Sequence, residues 1–204
     1  MLLVPADAPA VFVTDGRYRE QASTQLDEAG VSARVCVETV ASAQLDTLAD
    51  ALGEHAVTRL ALEGHGITWD QYRQFSRRFG DAVPGLELVS SGPMVEDLRR
   101  TKDDGEIARI AAACAIADDA LAAAVGRLAT GITEQEFALA LEFAMRERGA
   151  QGNSFDPIVA SGPNGAMPHA RPSQRVVQRN ELVVLDFGCI VDGYCSDMTR
   201  TVSV

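Results

Sequence analysis

Val183-Val184-Leu185-Asp186-Phe187-Gly188-Cys189-Ile190-Val191-Asp192-Gly193-Tyr194-Cys195-Ser196-Asp197-Met198-Thr199-Arg200-Thr201 is the stretch on which the reading of this chain turns. Asp-Gly between two apolar runs is among the strongest short-range hairpin signals and favours a two-residue type I′ turn. With Asp192 and Gly193 as the loop, Val191 falls opposite Tyr194 and Gly188 opposite Asp197. Side chains alternate with period two, so Asp186 shares the face of Gly188. Asp186 and Asp197 then become diagonal neighbours on one face, roughly 7–8 Å apart. Two ionised carboxylates on a half-buried sheet face are tolerated when one takes a proton or a cation lies between them. All-oxygen ligation suits hard divalent ions, and two-metal hydrolases keep their ions about 3.5–4 Å apart. Two readings compete with this one. Asp186 can cap a strand end while Asp197 is solvated, and a one-residue bulge would send the acids to opposite faces.

Upstream, the first ninety-odd residues alternate short apolar runs with amphipathic stretches. Strands are expected at 10–14, 34–40, 59–62 and 86–89, with helices at 18–28, 43–52 and 69–79 between them. That βαβαβαβ rhythm predicts an α/β unit with a mostly parallel sheet. Ser90-Ser91-Gly92-Pro93 marks a boundary, giving domains 1–92 and 93–204. Beyond it the chain predicts a long helix from Asp103 to about Leu128. Its apolar stripe runs through Ile107, Ile110, Ala111, Cys114, Ala117, Leu121, Val125 and Leu128. Thr133-Glu134-Gln135-Glu136 is a capping box, with Ile132 and Phe137 as its hydrophobic staple, opening a helix that runs to Arg148. A strand at 155–160 and the hairpin strands 182–187 and 194–202 complete an α+β layer.

Composition excludes several classes. The 204 residues are 47% apolar and carry a formal charge of −11, which argues against phosphate-backbone binding, so no nucleic-acid partner is expected. No apolar run approaches the ~20 residues of a membrane helix. Met1-Leu2-Leu3-Val4-Pro5 has no basic region ahead of an apolar one, so no secretory signal is expected. Four scattered cysteines read as reduced thiols of a cytoplasmic protein. Cys189 and Cys195 fall on opposite faces of the hairpin, which rules out a disulfide or a thiolate zinc site between them. Glu63-Gly64-His65-Gly66 begins like a dinucleotide loop but lacks the third glycine, and His55 and His65 show no partner. His169, between Pro168 and Pro172 in a glycine-rich loop, is more useful as a hydrogen-bond donor or proton shuttle than as a core residue.

The sequence resembles the pita-bread-fold metallopeptidases, specifically the Xaa-Pro aminopeptidases, prolidases and creatinase-like proteins. The segments that carry the likeness are 98–107, Gly131-Ile132-Thr133-Glu134, Phe155 to Gly162, Pro168-His169, Leu185-Asp186-Phe187-Gly188 and Ser196 to Thr201. Thr14-Asp15-Gly16-Arg17-Tyr18 adds a likeness to the creatinase-like N-terminal domain. The resemblance implies an α/β creatinase-like N-terminal domain followed by the first half of an α+β pita-bread domain. It also implies that Asp186 chelates one divalent ion and Asp197 bridges two. A hydroxide between the ions would attack the peptide bond before a proline, with His169 hydrogen-bonding the substrate or the developing oxyanion. Manganese is the expected metal, with cobalt or zinc substituting; the substrate is a proline-containing peptide, and a homodimer is the assembly it points to.

The chain departs from the family pattern at both ends. A histidine and two glutamates complete the family's ligand set beyond the point where Val204 stands, and the first elements of the N-terminal domain are missing. The expectation is therefore a fragment with weak metal affinity, an unpaired sheet edge after Thr199 and no activity by itself. A non-catalytic pita-bread binding module is the alternative. Metal-free creatinase-like hydrolysis fits less well, because such enzymes lack the aspartate pair.

Overall fold

The computed structural model describes residues 1–38, 40–128 and 131–204, in two compact units, Met1–Arg99 and Arg100–Val204. Thr39, in the stretch read as the second strand, and Ala129 and Thr130, just after the long helix, lie outside the described residues.

In the first unit, β1 (Leu2–Leu3) pairs antiparallel with β2 (Ala10–Thr14), which pairs parallel with β3 (Ala33–Val37). Helix α1 (Arg19–Glu28) links β2 to β3 after a 3-10 turn at Gly16–Tyr18. It closes as a Schellman motif: Gly30, at φ +64°, donates to Asp27 O and Val31 donates to Leu26 O. Helices α2 (Ala41–Glu54) and α3 (Trp69–Ala82) flank β4 (Arg59–Leu62), which pairs parallel with β5 (Glu87–Ser90). The expected parallel pairings are present, but the ladder comes in two pieces, β1-β2-β3 and β4-β5. Burial joins them where hydrogen bonds do not. Val11 and Val13, Leu48 and Leu52 of α2, and Phe79 of α3 form one core against which Leu60 and Leu86 pack. A short helix, α4 (Met94–Arg100), ends at the division between the units.

The second unit carries α5 (Asp104–Ala124) and α6 (Glu134–Glu147), both opened by full capping boxes, Asp103 with Glu106 and Thr133 with Glu136. Two antiparallel ladders follow. One has the order β10-β9-β6 (Tyr194–Cys195, Cys189–Val191, Gly152–Asn153). The other is β11-β8-β7 (Met198–Ser203, Leu182–Phe187, Ile158–Ser161), with β11 at its edge. Val183, Leu185, Phe187 and Met198 face the two helices and share a core with Phe137, Leu141 and Met145 of α6.

The buried stripe of α5 differs from the one its larger side chains suggest. Ala113, Ala117, Ala120 and Ala124 are buried, whereas Ile107 is 53% exposed and Val125 is also exposed. α5 packs on α6, β9 and β10, and at Ala113 the backbone carbonyl accepts from Cys189 Sγ at 3.3 Å. Only methyl-sized side chains fit along so close a line, so steric approach outweighs hydrophobic size. Among the described residues no helix is long and apolar enough to cross a membrane.

Candidate functional site

The candidate site depends on the hairpin register. Asp192 and Gly193 both have positive φ, +46° and +79°, as a type I′ turn requires. Val191 pairs with Tyr194, and Phe187 with Met198. The pairing keeps step through the gap between the two ladders, so no bulge intervenes and Gly188 stands opposite Asp197. The strand expected at 194–202 breaks at Ser196–Asp197 for a local reason. Ser154 crosses there, its hydroxyl donating to Ser196 O at 2.7 Å and its N–H to Gly188 O at 3.1 Å. Ser196 Oγ in turn accepts from Cys189 N at 3.0 Å.

That crossing also fills the space beside Gly188. A Cβ at residue 188 would lie 1.9 Å from Ser196 O and 2.4 Å from Ser154 Oγ. The chain's own backbone takes up the space.

The sheet faces are now distinct. Arg200 points to the helix side, where it pairs with Asp118 of α5 at 3.8 Å. Thr199, its neighbour, points the other way and donates its hydroxyl to Asp186 Oδ1 at 2.7 Å. Asp186 and Asp197 share that second face. Asp186 lies inside β8 and takes a side-chain hydroxyl, so it does not cap a strand end. Asp197 is exposed, as the competing reading expected, and its carboxylate has no hydrogen bond or ion pair among the described residues. Cys195, also exposed, stands on the face of Asp197, while Cys189 is buried on the other; all four cysteines are free thiols. Burial raises the Cys189 thiol pKa.

His169 is exposed at the tip of the loop after a 3-10 turn at Gly162–Ala166. Together with Asp186 it lines a cleft of about 580 Å³ beside β7, whose walls also include Asp156, Ile158, Arg171 and Glu142. Asp197 is not among the lining residues. The structure thus sets His169 and Asp186 on the walls of one cleft, and Asp186 on the face of Asp197. Among the described residues no cluster of three or more His, Cys, Asp or Glu side chains is placed to hold an ion. Two short carboxylates, one without a partner and one with a single hydroxyl donor, fit part of a hard-cation site.

Two contacts escaped the sequence reading. His65 Nε2 lies 3.1 Å from Glu96 Oε1 in an exposed pair, so that histidine has a partner after all. Glu134, read only as the start of a capping box, is 0% exposed. Its carboxylate accepts from Ser161, Asn164 and Ser173. Desolvation opposes its ionisation, but the donors from Ser161, Ser173 and Asn164 outweigh it and hold the pKa below the ordinary glutamate value. The available signal was the first glutamate of Thr133-Glu134-Gln135-Glu136, since a capping box uses only Glu136.

With this geometry in view, the kinship of the chain is clear. Residues 108–204 match metallopeptidase family M24, and residues 1–101 match the creatinase/prolidase N-terminal domain. The chain belongs to the pita-bread metallopeptidases, with a creatinase-type domain ahead of the start of the M24 domain. It is 39% identical over 203 residues to an uncharacterized peptidase of Bacillus subtilis (strain 168), YqhT, covering 100% of this chain and 55% of that one. The Xaa-Pro dipeptidase of Pyrococcus furiosus is 41% identical over 118 residues, 58% of this chain and 34% of the relative. Among solved structures, an X-Pro aminopeptidase from Thermotoga maritima MSB8 superposes with a TM-score of 0.85 at 33% identity. It is covered to 55% by the whole of this chain. An Xaa-Pro dipeptidase from Bacillus anthracis gives 0.86 at 35%, with 54% of its length covered. The chain therefore spans about half the length of the relatives that it matches end to end.

Proposed function

We propose that this chain carries the first two ligands and the substrate-facing histidine of a dinuclear metallopeptidase that cleaves the bond before proline. The carrying observation is the unbroken hairpin register, which sets Asp186 and Asp197 on one face while His169 shares a cleft with Asp186. Asp186 would chelate one ion and Asp197 would bridge two. Manganese suits the oxygen donors, with cobalt or zinc as substitutes. When bound, such an ion pair supplies Lewis acidity and lowers the pKa of water.

The remaining work falls to this chain's own groups. Thr199 fixes one oxygen of Asp186, a residue that lines the cleft. The exposed imidazole of His169 donates to a substrate carbonyl or to the charge that develops on it. The cleft accepts an extended peptide segment along β7. The resemblance of the N-terminal half to prolidase-type proteins supports a proline-containing substrate and a cytoplasmic peptidase that works as a homodimer.

Calorimetric titration of the chain with manganese chloride tests the ligand roles. Weak binding is expected in the wild type and none in Asp186→Asn or Asp197→Ala. Undiminished binding by Asp197→Ala would remove the bridging role. Turnover of an Ala-Pro or Gly-Pro peptide is expected only when a later histidine and two glutamates complete the ligand set. A chain that binds no manganese and yet captures proline peptides would favour the binding-module reading.

A further inference from the structure

The loop that presents His169 has little backbone support of its own. Beyond the 3-10 turn, from Met167 to Pro172, the described backbone hydrogen bonds are Met167 N to Asn164 O, at 3.0 Å, and Ala170 N to Met167 O, at 3.2 Å. Both feet of the loop, however, converge on one carboxylate. Glu134 Oε1 accepts from Ser161 N at 2.7 Å, Ser161 Oγ at 2.8 Å and Asn164 Nδ2 at 3.0 Å. Its Oε2 accepts from Asn164 Nδ2 at 3.1 Å, Ser173 N at 3.1 Å and Ser173 Oγ at 2.7 Å. Ser161 and Ser173 bracket the loop. A single fully buried side chain, on the first turn of a rigid helix, thus ties its beginning to its end.

An ionised carboxylate is costly to bury, and an apolar plug of similar volume would fill the same space at lower cost. What an apolar plug cannot do is fix direction. Five donors converging on two oxygens at the positive end of α6 determine where each foot of the loop must lie. The web extends outward: Arg175 Nη1 donates to Ser161 Oγ at 2.5 Å and to Glu181 Oε2 at 2.8 Å, and Gln135 N donates to Ser173 O at 3.1 Å. Gly162, at φ +50°, is confined by the same group, since a Cβ there would lie 2.5 Å from Glu181 Oε1.

We infer that Glu134 is the positioning residue of the site, its carboxylate clamping Ser161, Asn164 and Ser173 so that His169 is held over the cleft beside Asp186. The functional side of this inference rests on the role proposed for His169; the mechanical side does not. Glutamine cannot substitute, because its amide nitrogen would meet the Ser161 N–H, the Ser173 N–H or the Asn164 amide donor to donor.

The test is amide hydrogen exchange of the 204-residue chain, with manganese-induced broadening of the His169 ring and Thr199 amide resonances measured on the same samples. In Glu134→Gln, exchange across 165–172, read at the hydrogen-bonded Met167 and Ala170 amides, is expected to quicken by about tenfold, the scale of losing a charge-assisted hydrogen bond. Protection of α5 and β8 should be retained. Manganese should still broaden Thr199 but act less on His169. Ser173→Ala, which removes one donor and leaves the charge satisfied, should show the same pattern at about threefold and serves if Glu134→Gln does not fold. Unchanged exchange at 165–172 in the variants would overturn the clamp. So would a uniform loss of protection over 100–204, which would mark a general structural role. If manganese broadens neither resonance in the wild type, the metal reading fails, and the exchange pattern still decides the clamp.

Discussion

The two units use polar groups in different ways. In Met1–Arg99 the core is apolar and the ion pairs lie on the surface: Arg34 with Glu54, Arg59 with Glu87, Asp46 with Arg78, and Asp15 with Arg17. The Asp15–Arg17 pair caps the first 3-10 turn, and the Arg17 guanidinium holds the Asp15 pKa down to about 2. Arg100–Val204 also carries surface pairs such as Arg200 with Asp118, but adds buried or half-buried polar bonds: Glu134 with Ser161 and Ser173, Ser154 with Ser196, and Tyr194 OH with Glu106 at 2.7 Å. Surface pairs tolerate adjustment, whereas buried and fully satisfied networks specify one geometry. The contrast separates a unit held by packing from one whose interior fixes the directions of particular side chains.

The sharpest way to break that contrast is Gly188→Ala. The added methyl meets a backbone oxygen at the Ser154 crossing, and a loss of about 3 kcal/mol or more is expected in urea unfolding of the second unit. Exchange protection in 1–99 should be unaffected. Gly126→Ala, where nothing lies within 4 Å of the new methyl, is the control. Equal behaviour of the two variants would show that the crossing is loose.

Next in size is Ala117→Leu, which overfills the close line between α5 and its neighbours and should cost about 1–3 kcal/mol. Ala111→Leu, on the exposed side of the same helix, should be nearly neutral; an equal cost at both positions would restore the stripe expected from the sequence.

Acid should then separate the units. The folded pKa of Glu134 is depressed, so its contribution is fully present above the ordinary glutamate value and is lost as pH falls through the folded one. The thermal midpoint of the wild type should therefore fall more steeply than that of Glu134→Gln as the pH drops through and below the ordinary glutamate range. Parallel curves would deny the carboxylate its charged state. Smallest of all, a double-mutant cycle on Arg34 and Glu54 should give a coupling below about 1 kcal/mol that fades in salt.

Features of local origin were legible in the sequence. The Asp192-Gly193 turn carries its own register, and with it the shared face of Asp186 and Asp197. Strands 10–14, 59–62 and 182–187 begin and end where alternation and turn residues place them. Thr133 with Glu136, and Ile132 with Phe137, mark the start of α6 to the residue. Features decided by distant approach were not legible. The alanine line of α5 depends on how closely β9 and α6 come, and Ser154 meets Gly188 across more than thirty residues of chain. Glu134 was hidden for the same reason: its donors arrive from 161, 164 and 173, and nothing adjacent to it in sequence announces them.

Cys195 gives this arrangement a practical consequence. It is a solvent-accessible sulfur two residues from Asp197, on the acid-bearing side of the hairpin, whereas Cys189 is sealed against α5. A nitroxide attached at Cys195 would sit within paramagnetic range of any manganese held by the two aspartates. The chain thus carries its own attachment point for measuring, as a distance, whether and where an ion settles.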